Sequence, residues 1–135
     1  MTKTIAQLKK DNKRQVDIQL WHSETAIEYM EDCKNIDSGN KKIHDFNYIR
    51  LCNLYLTCSH LYYDYDKNIL ADTNFDKLCF FLLEHHDMLE LSGVYHVEEN
   101  ITVDNLLAGT CIGVDYPDSI RAIASQIVDR LESAA

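Results

Sequence analysis

The sequence predicts a mainly α fold: a compact single-domain bundle of four to five helices. Two observations carry this. Only one proline and four glycines occur in 135 residues, too few for a sheet protein with many tight turns. Apolar residues then recur at helical rather than alternating spacing through most of the chain. The composition, 46% hydrophobic and 26% charged, is that of a globular chain with a core, and the length suits one domain over 1–135.

The first helix is predicted over 4–33, from Ile5, Leu8, Val16, Leu20, Ile27 and Met30. A break is expected at Trp21 to Glu24, where Ser23 is a suitable N-cap. The stretch "NIDSGNKK", 35–42, reads as a loop around Gly39. This gives an N-terminal helical segment over 1–34.

A second long helix is predicted over 45–64. Ile49, Cys52, Leu56, Ser59 and Tyr63 share one side, and Leu51, Leu54, Tyr55, Cys58 and Leu61 widen the apolar face. So wide a face belongs to a central helix. "DYDKNILAD" breaks the pattern, and Asp72 is expected to cap a third helix over 73–90 with Phe75, Leu78, Cys79, Leu82 and Leu89 inward. Together, 44–91 form a helical hairpin. Gly93 suits a helix C′ position, and Val94, Val97, Ile101 and Val103 allow a short β-hairpin over 94–103. Asp104 is expected to cap a turn over 105–108. Pro117 and Asp118 suit the start of a last helix over 117–132 that buries Ile120, Ile123, Ala124, Ile127, Val128 and Leu131.

The net charge of −9 is unevenly placed. Residues 1–50 carry nine basic against eight acidic side chains, and residues 51–135 carry four against fourteen. Phosphate backbones are repelled by that second part, which disfavours direct nucleic-acid binding. The basic cluster Lys9, Lys10, Lys13 and Arg14 reads as a solvated helix face. No apolar run nears the roughly 20 residues that span a bilayer, so no membrane partner is expected. Cys33, Cys52, Cys58, Cys79 and Cys111 are odd in number with no Cys-x-x-Cys, and free thiols in a reducing cytoplasm are the expectation.

Chemistry concentrates in "LYYDYDKNILADTNFDKL", Leu61 to Leu78, with three tyrosines and four aspartates. If the helices hold, Tyr62 and Tyr63 end one helix and Asp72 and Asp76 begin the next, four residues apart on one face. Tyr62, Asp72, Phe75 and Asp76 would then line a concave corner suited to a flat cationic ring, held by aromatic faces and by carboxylates that accept hydrogen bonds. The same residues also suit a folding role, with Asp72 as cap, Asp76 in the first turn, and Phe75 and Leu78 in the core.

These residues resemble the N-terminal segment, Ia, of NAD-dependent DNA ligases over roughly residues 50–85. That segment is a helical hairpin with an aromatic pair, an acidic residue, a link and then Asp-x-x-Tyr-Asp-x-Leu. Here the match runs without a gap through Leu61-Tyr62-Tyr63, Asp66, Ile69-Leu70 and Asp72-Thr73-Asn74-Phe75-Asp76-Lys77-Leu78. The resemblance implies recognition of the nicotinamide mononucleotide half of NAD, with Tyr62, Tyr63, Asp72, Phe75 and Asp76 as binding positions. Phe75 stands where the family has a tyrosine, and Asn68 and Ala71 stand where it has proline or a small turn residue. The adenylating Lys-x-Asp-Gly motif is absent. The expectation is therefore a non-catalytic module that binds NAD or nicotinamide mononucleotide, as a ligase accessory or NAD sensor, rather than an enzyme.

A different function is open to the acidic surface. Glu84, Asp87, Glu90, Glu98, Glu99, Asp104, Asp115 and Asp118 are able to make a negative patch that occupies the basic groove of a nucleic-acid-processing enzyme. Small phage inhibitors of host defence enzymes share this profile, and such a protein would work in the host cytoplasm. Two further clusters point elsewhere. His85 and His86, with Cys79, Glu84 and Asp87, are adjacent rather than at ligand spacing, and no metal is expected. Cys58, Ser59 and His60 put nucleophile types beside a base, but neighbours on a helix do not face one another.

Overall fold

The computed structural model describes residues 5–87, 101–108 and 116–133. Among them are five α-helices and no strand. They are α1 (Ile5–Ser38), α2 (Tyr48–Tyr65), α3 (Asp72–Glu84), α4 (Val103–Ala108) and α5 (Asp118–Ser133), with a 3-10 turn at Ile43–Asp45. The mainly α bundle expected from the sequence is the fold observed. Helix α5 packs on α1 and α2, α3 packs on α2 and α4, and the 3-10 turn rests on α3.

Helix α1 runs 34 residues without the break expected at Trp21 to Glu24. Thr25 Oγ1 donates to the Trp21 carbonyl at 2.8 Å inside an unbroken turn. The Ser23 hydroxyl, free of any capping duty, accepts from Arg130 Nη2 of α5 at 2.8 Å. The helix also runs through the first half of the expected loop. It stops at Gly39, whose φ of +80° is left-handed, and the Gly39 N–H closes onto the Ile36 carbonyl at 3.2 Å. Its inward face is Ala26, Tyr29, Cys33 and Ile36. Ile27 is turned outward and Met30 is at the margin. The side chains of Ile5, Leu8, Val16 and Leu20 fall outside the described ones.

Helix α2 begins at Tyr48 rather than 45, because Asn47 Oδ1 accepts the Arg50 N–H at 2.8 Å and sets the start. The preceding residues form their own turn, in which Lys42 N–H donates to Asp45 Oδ2 at 2.9 Å. From Leu51 to Leu61 every residue except Asn53 is buried, which is the central helix the wide apolar face predicted. Each of Leu51, Leu54, Leu56 and Leu61, fully buried, is worth roughly 1.5–3 kcal/mol over an exposed counterpart. Ile49 is the exception, exposed at the first turn. The helix ends at Asp66, φ 54°, and the Leu61 carbonyl accepts both the Asp66 and the Lys67 N–H.

Helix α3 starts and ends differently from expectation. Ala71, not Asp72, holds the cap position, with no side-chain cap of its own. The capping carboxylate comes from α1. Asp37 accepts from the Ala71 N–H at 3.1 and 3.2 Å and from Asn74 Nδ2 at 2.7 Å. Asp72 is the first helical residue and complements the dipole. The helix stops at Glu84, short of 90, where His85 leaves helical geometry. Leu89, Gly93 and most of the expected hairpin over 94–103 lie outside the described residues. Ile101 is a bend, and Val103 already starts α4. There Thr102 Oγ1, not Asp104, accepts the Asn105 N–H at 3.1 Å. Helix α5 begins one residue after Pro117 and buries Ile120, Ile123, Ala124, Ile127 and Val128, with Leu131 packed at the edge.

Candidate functional site

The end of α2 and the start of α3 approach one another because the 66–71 link turns sharply at Asp66 and is pinned at Ala71 by Asp37. Between them lies a hollow of about 300 Å³. Tyr62, Tyr63, Asp72, Phe75 and Asp76 all line it, with Cys58, Ser59 and residues 68–70. The structure thus brings all five residues singled out in the sequence to one place.

The walls divide by chemistry. Tyr62 and Tyr63 stand edge to face, ring centroids 4.9 Å apart, and Tyr62 remains 49% exposed. Phe75 is half-buried and stacks on the buried Tyr55 at 5.7 Å, with 11° between the rings. It is therefore a core residue and a wall residue at once. Asp72 and Asp76 are exposed on the same face of the first turns of α3, where the helix dipole favours their charge. Ser59 was not singled out as a site residue in the sequence. Its Oγ is buried and has no hydrogen-bond partner among the described residues, as is also true of Thr57 Oγ1. A buried hydroxyl without a partner is costly unless something supplies one. The helical spacing of Ser59 with Tyr62 and Tyr63 was the signal that places it on this wall.

The neighbours of Ser59 have other partners, although Cys58 also lines the hollow. Cys58 Sγ lies 4.0 Å from Cys33 Sγ of α1. His60 Nδ1 pairs with Asp64 Oδ2, and its ring meets Tyr116 at a centroid distance of 4.5 Å. The trio is no catalytic array. Hydrogen bonding to Cys58 and then burial push the Cys33 thiol up, and burial pushes Cys52 up to about 12. The described thiols, Cys33, Cys52, Cys58 and Cys79, are buried and in no disulfide; Cys111 lies outside the described residues.

Two other groups are committed to structure. Arg50 Nε binds Asp32 at 2.6 Å, Nη1 reaches Glu28 at 3.3 Å, and the guanidinium lies over the Tyr29 ring at 5.1 Å. Burial alone would lower the Arg50 pKa, but the hydrogen bond and charge of Asp32 outweigh it and raise it. His85 Nδ1 bonds to the Phe81 carbonyl at 2.9 Å and His86 Nε2 to the Ile101 carbonyl at 2.8 Å, so the two rings serve different backbones. Among the described residues no group of three or more His, Cys, Asp or Glu side chains is placed to hold a metal, and no helix is long and apolar enough to cross a membrane.

The chain matches no family model, no curated protein and no solved structure.

Proposed function

We propose that this chain is a non-catalytic module that binds a nicotinamide nucleotide, NAD or nicotinamide mononucleotide, between α2 and α3. The observation that supports the reading is the convergence of Tyr62, Tyr63, Asp72, Phe75 and Asp76 on one hollow. A flat cation entering there meets aromatic faces on one side and two carboxylates on the other. The carboxylates accept hydrogen bonds from a carboxamide N–H or from ribose hydroxyls, and Ser59 Oγ offers the donor that a carboxamide oxygen needs. At about 300 Å³ the hollow is at the small end of ligand sites, a size for a mononucleotide rather than a larger ligand. The resemblance to the ligase Ia segment points to the same ligand. The missing Lys-x-Asp-Gly motif points to recognition without adenylation.

Calorimetric titration with nicotinamide mononucleotide tests the reading. Asp76 is exposed, so Asp76→Ala leaves the fold intact by circular dichroism. Its affinity is expected to fall at least about tenfold, the loss of one charge-assisted hydrogen bond. Equal affinity of wild type and variant would remove the reading.

A second reading draws on a different face. Glu84 and Asp104 are exposed on two elements that pack together, beside the exposed Phe80, Val103 and Leu107. Carboxylates around apolar side chains suit a protein-binding inhibitor of a basic nucleic-acid-processing enzyme, of the kind phages direct at host defences. It requires a salt-sensitive complex that forms with no nucleotide present.

A further inference from the structure

A second hollow, of about 710 Å³, adjoins the first. Ile36, Ile43, Phe80 and Phe81 form its apolar floor, and Lys41, Lys42 and Lys77 stand on its rim. Asp76 lines both hollows, so they meet on α3. The charge of this rim runs against the rest of the chain. Lys77 is one of only four basic residues after position 50, yet it faces two lysines of the α1–α2 connection. Lys42 and Lys77 make no ion pair among the described residues. The two carboxylates in the lining, Asp76 and Glu84, are both on α3, two turns apart. Phe80 is 61% exposed, an aromatic face with no core duty and a platform on which a base stacks.

We infer that this groove takes the adenosine diphosphate part of a dinucleotide whose nicotinamide end occupies the first hollow. The inference rests on the nicotinamide reading and extends it. An oxidised nicotinamide dinucleotide has a positive ring at one end, a pair of negative phosphates in the middle and a neutral base at the other. The surface along α3 repeats that order in complement: Asp72 and Asp76, then Lys77 with Lys42 opposite, then Phe80. From Asp72 to Phe80 is about 12 Å of helix, which an extended dinucleotide spans.

The test is calorimetry on the full chain with three probes: NAD, nicotinamide mononucleotide and adenosine diphosphate ribose. NAD is expected to bind at least tenfold more tightly than the mononucleotide. That margin narrows in Lys42→Ala/Lys77→Ala, which weakens NAD by a larger factor than the mononucleotide, a carrier of only one of the two phosphates, while circular dichroism confirms the fold. The margin also shrinks with added salt, as phosphate–lysine contacts do. Equal affinity for NAD and the mononucleotide, unaltered by the lysine pair, overturns this inference and leaves the nicotinamide reading standing. Lysine-dependent binding of adenosine diphosphate ribose with none of the mononucleotide keeps the groove and removes the nicotinamide reading. Binding of none of the three removes both.

Discussion

Asp37 belongs to α1 by sequence and to α3 by function. Its carboxylate takes the place of the missing side-chain cap at Ala71 and fixes the link that closes the hollow. Asp37→Ala is expected to lower stability by about 1 kcal/mol, seen as a lower urea midpoint, and to weaken any ligand held between α2 and α3. Asp72→Ala, which removes only a favourable charge at the first turn, costs less; the reverse ranking would mean that Asp72 is the cap after all. Nothing local marks Asp37 as a cap, because its partner is 34 residues away; Asp72 beside a helical pattern looked the part and was displaced by a long-range contact. Cys52 carries a second residue-level consequence. Burial raises its thiol from 9.0 to about 12, so the folded chain holds the neutral form where the unfolded chain ionises. The stability from that neutral thiol is complete below pH 9 and is lost as pH climbs toward 12. Urea midpoints from pH 8 to 11 should fall, and fall less steeply in Cys52→Ala, although that variant is less stable at neutral pH.

Element by element, helical periodicity reached the parts that packing dominates. Helices α2, α3 and α5 lie where the apolar spacing puts them, and the breadth of the α2 face announced a helix covered on nearly every side. Leu56 sits at the middle of that helix, fully buried. Leu56→Ala is expected to cost 2–5 kcal/mol, measured by denaturant unfolding, because deleting its methyls leaves a cavity that a central helix has little freedom to fill. A loss below about 1 kcal/mol would mean that the neighbouring helices collapse onto the site. What periodicity did not reach were the ends. The continuation of α1 through Ser23, its stop at Gly39, the start of α2 at Asn47 and the turn-in at Thr102 are each decided by a hydrogen bond or a backbone angle. The same limit applied to the candidate site. Four of its residues, Tyr62, Asp72, Phe75 and Asp76, were legible from spacing across one predicted hairpin and Tyr63 from the resemblance to the ligase segment, whereas the unpartnered Ser59 hydroxyl and the lysine-rimmed groove needed the helices placed in space.

For the molecule as a whole, the account is one of charge laid out over a helical scaffold. A chain of net charge −9 keeps an acidic, aromatic hollow and a lysine-rimmed groove side by side on α3. The central claim is that the first of these receives a nicotinamide nucleotide, and a thermal-shift titration of the intact protein with nicotinamide mononucleotide, against adenosine monophosphate at the same concentration, tests it most directly. A ligand that binds only the folded state adds about 2.7 kcal/mol at a hundred times its dissociation constant, which raises the midpoint by several degrees for a chain of this size. The account predicts that rise with nicotinamide mononucleotide, and its loss in Asp76→Ala. An unmoved midpoint at millimolar nicotinamide mononucleotide would contradict it, and would leave the tyrosines and aspartates of the hairpin as the means by which α2 and α3 find their places.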